Sequence, residues 1–280
     1  QEAFGSRAGF PQDHPRFHGH LPADRPRVRE TLAGHDAVLV VGAAALRQYP
    51  YKSGSLVPEG TRLFVITADQ AEAIRSPAEL SIVGDPATLC AALAAGLGDA
   101  SESTRASITA TPAAGSANPR VAQYRRDPPA TGKPLHAADV FQLLDTRLPK
   151  NTTIVEESPS SRPALEALIP ARAPFGFLSA AMGGLGFAMP AAIGLKMARP
   201  DHPVLCIIGD GSSLYSIQSL WTAAEQGVGA VFIVLNNGGY AVMNRLADHR
   251  GGAAPWPSFG ALSVSTIASG LGVETLVVRD

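Results

Sequence analysis

The sequence is poor in cysteine and in net charge, and each scarcity narrows the possible functions. Its two cysteines, Cys90 and Cys206, both lie in apolar segments, so we expect buried thiols rather than a disulfide, in a reducing cytoplasm. The formal net charge of −1 gives no electrostatic basis for binding nucleic acid or an acidic membrane surface. No apolar run reaches the ~18 residues that predict a transmembrane helix.

Several catalytic motifs are also missing. There is no G-x-S-x-G turn and no Walker-type loop, so hydrolase and NTPase activities have no support. His14, His18 and His20 lie in an irregular Pro- and Gly-rich lead-in without a partner cysteine or a ligand spacing, which favours a surface segment over a metal site. The N-terminal residues Gln1–Phe4 show no charged-then-apolar signal pattern.

Short apolar runs are what the first half of the chain does contain, the first of them closed by Gly42. Residues 37–42 and 62–67 predict strands buried on both faces, and 80–84 predict a weaker third strand. A short helix is expected over 26–33 and a longer one over 86–97, where Pro86 suits a first helical turn. Alternating strands and helices predict a parallel sheet with crossover helices.

The second half repeats this alternation after a change in composition. Residues 98–134 are dominated by Ser, Thr, Ala, Pro and Arg and predict an interdomain linker. The elements expected beyond it are helices over 136–148, 184–198 and 214–226, and strands over 152–155, 203–208, 230–235 and 274–278. We therefore predict an α/β protein of two doubly wound parallel-sheet domains, 1–100 with the lead-in and 135–280, joined by a linker over 101–134.

A polar turn follows the apolar strand 203–208. Asp210 stands between Gly209 and Gly211, at the carboxyl end of the strand, where open parallel sheets bind ligands. Ser212 and Ser213 then open the next predicted helix, whose free N–H groups would favour phosphate. Taken alone, this Gly-Asp-Gly segment is equally typical of an ordinary turn.

The next predicted strand ends in Asn236-Asn237-Gly238-Gly239, which alone is typical of a hairpin-like loop. Residues 212–235 separate the two motifs and provide one helix and one strand, so both motifs reach the same sheet edge. The Asp210 carboxylate, the Asn237 amide oxygen and the Gly239 carbonyl would form half of an octahedron around Mg²⁺, which two diphosphate oxygens and a water would complete.

Together the two motifs resemble the signature of thiamine-diphosphate-dependent decarboxylases. Residues 179–194 resemble the family segment that passes under the cofactor, where the Gly183 carbonyl would accept a hydrogen bond from the aminopyrimidine. Leu185 would be the apolar wedge that bends the cofactor so that its imino nitrogen approaches the reactive carbon. The same pattern is also typical of a small-residue helix packed on a sheet.

Further segments extend the resemblance to the cofactor's surroundings. Residues 155–160 resemble the loop that touches the diphosphate, with Ser158 and Ser160 as donors and Pro159 where relatives often carry another hydroxyl. Tyr240, after the Asn-Asn motif, would contact the cofactor. Glu156 and Glu157 could form a catalytic carboxylate pair, but we favour Glu157 as a residue that shapes a loop near the cofactor.

Within this family the likeness is to the benzoylformate decarboxylases. Tyr49 stands where a substrate-side histidine is expected, and Val242 and Leu246 also depart from that pattern, which predicts an altered side-chain pocket. The segments that carry the likeness are 10–17, 32–42, 58–63 and 215–224.

The resemblance implies the non-oxidative decarboxylation of a small-molecule 2-oxo acid to an aldehyde, with thiamine diphosphate and Mg²⁺ as cofactors. It also implies that the N-terminal pyrimidine-binding domain, whose glutamate starts catalysis, is missing and that the C-terminal end is shortened. We therefore expect a partner chain's pyrimidine-binding domain in a homo-oligomer. The alternatives are a carboligase of the acetolactate-synthase type and a non-catalytic fragment that binds cofactor or serves in assembly.

Overall fold

The computed structural model describes residues 1–3, 5–49, 51–97, 119–253 and 255–280. The chain divides into two compact units, one comprising Gln1–Gly5 with His18–Ala114 and the other Ser6–Phe17 with Gly115–Asp280. Most of the predicted linker lies outside the described residues, and its described part contains a short helix. The functional assignment of the domains stays a prediction.

The first unit is a three-stranded parallel sheet in the order β1-β2-β3. The Asp24 side chain accepts a hydrogen bond from the Arg27 amide and starts α1, and Pro86 opens α3 as predicted. The elements are α1 (Arg25–Leu32), β1 (Ala37–Val41), β2 (Arg62–Thr67), α2 (Gln70–Arg75), β3 (Leu80–Val83) and α3 (Pro86–Leu97).

The expectation that 37–42 forms a strand buried on both faces is wrong. Leu39 and Val41 on β1 remain 45% and 40% exposed. β1 is an edge strand, and α3 buries none of its residues, so apolar side chains on one face of β1 stay accessible. The core of this unit lies under the other face, around Val28 and Leu63.

The second unit is a four-stranded sheet in the order β5-β4-β6-β7, and every described strand pair is parallel. This confirms the predicted fold class, an α/β protein with two parallel sheets. The elements are α4 (Pro119–Tyr124), α5 (Ala137–Arg147), β4 (Thr153–Glu157), α6 (Arg162–Leu168), β5 (Phe177–Ser179), α7 (Ala188–Ala198), β6 (Val204–Gly209), α8 (Asp210–Ser213), α9 (Ser219–Glu225), β7 (Val231–Leu235), α10 (Ala241–His249) and α11 (Val264–Gly270).

The central strands β4 and β6 are buried on both faces, which explains their near-continuous apolar sequence. One face packs against Phe141 and Leu165 and the other against Met189. Cys206 on β6 is fully buried, and this burial raises the pKa of its thiol. Cys90 is only partly buried, so the expectation of two buried thiols holds for Cys206 and is wrong for Cys90.

Part of the lead-in packs on the second unit rather than lying free. The Gln12 amide donates to the Ala171 carbonyl at 2.9 Å, and the Ala171 amide donates to the Gln12 side chain at 2.8 Å. Arg7 forms an antiparallel bridge with Leu178 beside β5. The buried Phe17 adds apolar contact area to this segment. The extended lead-in is therefore partly built into the fold.

Three predicted elements of the second unit are wrong in extent or existence. The helix expected over 184–198 begins only at Ala188, and the helix expected over 214–226 begins only at Ser219. The strand expected over 274–278 does not form. Its apolar residues Leu276–Val278 are exposed, and no described strand pairs with them.

No helix among the described residues combines the length and the apolar character that spanning a bilayer requires.

The core position of Leu165 provides a test of the fold. Leu165 on α6 is fully buried, whereas Leu143 on α5 is 58% exposed. We expect Leu165→Ala to lower the free energy of unfolding by about 2–5 kcal/mol, because it leaves a cavity, and Leu143→Ala to change it by less than about 0.5 kcal/mol. Urea unfolding followed by circular dichroism measures both, and equal losses would contradict this packing.

Candidate functional site

Three neighbouring strands of the second unit end side by side and place polar residues along one edge. The parallel register pairs Glu157 of β4 with Ile208 of β6, and Gly209 of β6 with Leu235 of β7. Glu157, Asp210 and Asn236 therefore stand at or just beyond the carboxyl ends of adjacent strands. This is the edge at which open parallel sheets bind ligands.

Asp210 connects the two glycine-flanked loops of this edge. Asp210 is buried, with only 3% of its surface exposed. Oδ1 accepts a hydrogen bond from the Gly211 amide at 2.9 Å, and Oδ2 accepts one from the Gly238 amide at 2.8 Å. The loop after β7 is thus held against the turn after β6, and Asn237 in that loop remains exposed, with its Oδ1 3.2 Å from the Gly239 amide. The two predicted motifs meet as the spacing predicts.

The donor set fits a hard divalent cation. A carboxylate, an amide oxygen and backbone carbonyls are oxygen ligands, and Mg²⁺ in proteins is usually held by few carboxylates together with phosphate oxygens and water. Among the described residues, no group of three or more His, Cys, Asp or Glu side chains could hold a metal. A metal at this edge would therefore depend on Asp210, on Asn237 and on the Gly239 carbonyl, and these ligand assignments stay predictions.

The surroundings of Ser212 and Ser213 differ from expectation. α8 is a single turn of four residues, and residues 214–218 form turns before α9 begins. The Ser213 hydroxyl donates to the Asp210 carbonyl at 2.6 Å, and Ser219 similarly donates to the Ser216 carbonyl at 2.7 Å. Such local side-chain bonds compete with a regular helix. The long helix dipole expected at Ser212 is therefore absent, although both serines border the turn.

An aromatic pair closes over the Gly-Asp-Gly turn. Phe259 packs against Tyr240 edge to face at 4.5 Å between ring centroids, and its amide donates to the Gly238 carbonyl at 2.8 Å. A Cβ added at Gly211 would lie 2.6 Å from Cε2 of Phe259 and 3.3 Å from Cε1 of Tyr240. Close packing against Phe259 and Tyr240 thus requires a glycine at position 211.

A pocket of about 200 Å³ opens next to this pair. It lies between the loop that begins at Asn237, the start of α10 and residues 256–258. The indole N–H of Trp256 donates to Oδ1 of Asn244 at 2.7 Å and ties this wall to α10. Sequence reasoning missed Trp256 and Phe259. Their only signal was two aromatic residues within a Gly- and Pro-rich stretch of an aromatic-poor chain.

The predicted diphosphate loop is held internally. The Ser158 amide and hydroxyl donate to Oε1 of Glu156, and Glu156 forms a 2.7 Å ion pair with Arg162. Oγ of Ser160 accepts a hydrogen bond from the Val242 amide at 3.0 Å, at the start of α10. The structure therefore brings Ser160 to the site edge, whereas the Ser158 hydroxyl faces Glu156.

Gly183 and Leu185 lie in a strained loop before α7. Met182, Gly183 and Gly186 have φ values of 64°, 72° and 90°, a region that costs energy for a non-glycine residue. Leu185 is 39% exposed. Glu157 accepts hydrogen bonds from the amides that follow this loop, which agrees with the loop-shaping role expected for it rather than with a pair formed with Glu156.

Comparison with known proteins supports the resemblance inferred from the sequence. Residues 161–280 match the family profile described as thiamine pyrophosphate enzyme, C-terminal TPP binding domain. Benzoylformate decarboxylase of Pseudomonas aeruginosa is 38% identical over 97% of this chain and 49% of its own length. The structure of a thiamine diphosphate-dependent 4-hydroxybenzoylformate decarboxylase of Rhodococcus jostii RHA1 superposes with a TM-score of 0.86 at 32% identity, over 99% of this chain and 50% of that one.

Residues 161–280 thus carry the C-terminal TPP binding domain of thiamine pyrophosphate enzymes, and the chain is similar over nearly its whole length to thiamine-diphosphate-dependent decarboxylases. The resemblance inferred from the sequence is thereby confirmed. The chain spans about half the length of these two relatives. Acetolactate synthase isozyme 1 large subunit of Escherichia coli is also similar, 39% identical over 35% of this chain and 18% of its own length.

The packing at Gly211 gives a test of the site geometry. We expect Gly211→Ala to lower the free energy of unfolding by about 1–3 kcal/mol, because the new methyl group must displace the Phe259 ring. Gly239→Ala is the matched control, since its Cβ would meet nothing within 4 Å. Thermal unfolding without ligand measures both variants. An equal effect of the two would contradict the Gly211–Phe259 contact.

Proposed function

We propose that this chain supplies the diphosphate-binding part of the active site of a carboxy-lyase that depends on thiamine diphosphate and Mg²⁺. The observation that carries this proposal is the Asp210 carboxylate, which joins the turn after β6 to the loop after β7 and leaves Asn237 exposed beside it. The family match over residues 161–280 supports the choice of cofactor.

The residues of the chain have distinct roles in this proposal. Asp210, Asn237 and the Gly239 carbonyl hold Mg²⁺. Ser160, Ser212 and Ser213, with Gly209, Gly211 and Tyr240, surround the diphosphate. The Ser158 hydroxyl, expected from the sequence to be a donor, donates to Glu156 and shapes this loop instead. When bound, thiamine diphosphate supplies the carbanion and the electron sink that decarboxylation requires.

The loop before α7 has a positioning role. Gly183 would hold the aminopyrimidine through its carbonyl, and Leu185 would keep the cofactor bent. The glutamate that starts the reaction by protonating the aminopyrimidine would come from the pyrimidine-binding domain of a partner chain in a homo-oligomer.

The substrate we propose is an aromatic 2-oxo acid of the benzoylformate type, with an aldehyde and CO₂ as products. Two of the relatives above carry benzoylformate or hydroxybenzoylformate in their names. Val242 and Leu246 on α10 differ from the pattern expected for that pocket, so its shape is expected to differ. The similarity to an acetolactate synthase supports a second candidate, a carboligase, which would release an acetohydroxy acid instead.

The cofactor assignment is tested by calorimetric titration with thiamine diphosphate and Mg²⁺. We expect Asp210→Asn to weaken Mg²⁺-dependent binding at least about 100-fold, because the variant loses the only charged ligand of the proposed site. The matched control Asp201→Asn changes an exposed aspartate after α7 and is expected to bind normally. Unchanged affinity in Asp210→Asn would refute the site assignment.

The reaction itself is tested by CO₂ release from benzoylformate, with pyruvate as the comparator. We expect turnover only when a pyrimidine-binding domain is supplied, either in a longer chain or by a partner, and we expect it to favour benzoylformate. Aldehyde as the product supports the lyase, whereas acetohydroxy acid supports the carboligase. Absence of cofactor binding would instead favour a non-catalytic role in assembly.

A further inference from the structure

Glu157 makes an unusual set of contacts for a carboxylate at the end of a buried strand. Its side chain is 1% exposed. Oε1 accepts a hydrogen bond from the Gly186 amide at 2.8 Å. Oε2 accepts hydrogen bonds from the amides of Phe187 at 2.7 Å and Ala188 at 2.8 Å. One carboxylate from β4 thus satisfies three consecutive backbone N–H groups about 30 residues away in the sequence.

These amides lead into α7: Gly186 and the N-cap residue Phe187 precede the helix, Ala188 is its first residue, and the helix itself offers none of the three an acceptor. The N-cap residue of α7, Phe187, makes no side-chain capping bond. Glu157 therefore replaces a local cap, and its negative charge lies at the positive end of an 11-residue helix. Hydrogen bonds to a buried charge are among the stronger ones in proteins.

Glu157 thereby also holds the C-terminal end of the loop 182–186, which precedes α7. Met182 and Gly183 have left-handed backbone conformations, and Met182 is not a glycine, so its conformation costs energy. Gly186 is also left-handed, and its position lies against Tyr215. Leu185 stands between the left-handed Gly183 and the clamped Gly186 amide, so the direction of its side chain depends on where that amide is held.

We propose that Glu157 is a positioning residue that sets the Leu185 loop through its three amide bonds. This inference rests on the proposed function, because the loop would contact the ring portion of thiamine diphosphate and not its diphosphate. The Asp210 edge holds the diphosphate end by separate contacts. Loss of the Glu157 clamp therefore weakens the recognition of the whole cofactor but not that of its diphosphate.

The test compares two probes, thiamine diphosphate and inorganic pyrophosphate, each titrated calorimetrically with Mg²⁺. The dissociation constant of pyrophosphate divided by that of thiamine diphosphate reports how much the Leu185 loop adds to the affinity for the whole cofactor. We expect Glu157→Gln to reduce this ratio about tenfold and to leave pyrophosphate affinity within about twofold. Leu185→Ala is expected to reduce the ratio similarly, and the double variant is expected to show no further loss, since both act through one loop.

Glu156→Gln is the matched control, because Glu156 is the adjacent buried carboxylate but pairs with Arg162 instead. We expect it to leave the ratio unchanged. In the ligand-free chain, hydrogen exchange of the Gly186, Phe187 and Ala188 amides is expected to accelerate about tenfold or more in Glu157→Gln and not in Glu156→Gln. Should Glu157→Gln fail to fold, Glu157→Asp, which retracts the carboxylate by one methylene, carries the same expectations.

The outcomes separate the two proposals. An unchanged ratio in Glu157→Gln, or additive losses in the double variant, overturns the positioning role and leaves the proposed function standing. If the unaltered chain binds neither probe, the proposed function fails and the positioning role fails with it.

Discussion

The parallel pairing of β4, β6 and β7 is the constraint on which the site depends. Because the strands run in one direction and in register, the residues that follow them meet at one edge, although they are far apart in the sequence. Glu157, Asp210 and Asn237 share that edge only for this reason. The register of β4 is costly to shift, because a slip would separate the buried carboxylates Glu156 and Glu157 from Arg162 and from the amides of residues 186–188 that pair with them.

The carboxylates at this edge act mainly on the backbone. Asp210 accepts hydrogen bonds from amides of two loops, and Glu157 accepts three from the start of α7. Each compensates for its burial by satisfying N–H groups that would otherwise lack partners. This edge is therefore arranged by carboxylates at or just beyond the ends of the strands, while the loops contribute glycines and small polar residues.

The central strands and the meeting of the two motifs could be predicted, because strands buried on both faces leave a continuous apolar run and the spacing of 212–235 allows one crossover. The residue at which α7 begins could not be predicted, because Glu157 caps the helix from about 30 residues away in the sequence. The Phe259–Gly211 contact was missed for the same reason. The run at 274–278 has the composition of a strand, but pairing depends on a neighbour that composition does not reveal.

The fully buried Cys206 lies on β6, three residues before Gly209, with Glu156 and Glu157 close enough to raise its pKa further. Only the thiolate form of cysteine is strongly nucleophilic. Aldehydes, like other electrophiles, add to thiolates. The sheet that carries Asp210 at its edge thus presents no reactive sulfur from Cys206, and the susceptibility of the chain to electrophiles and oxidants shifts to the more accessible Cys90.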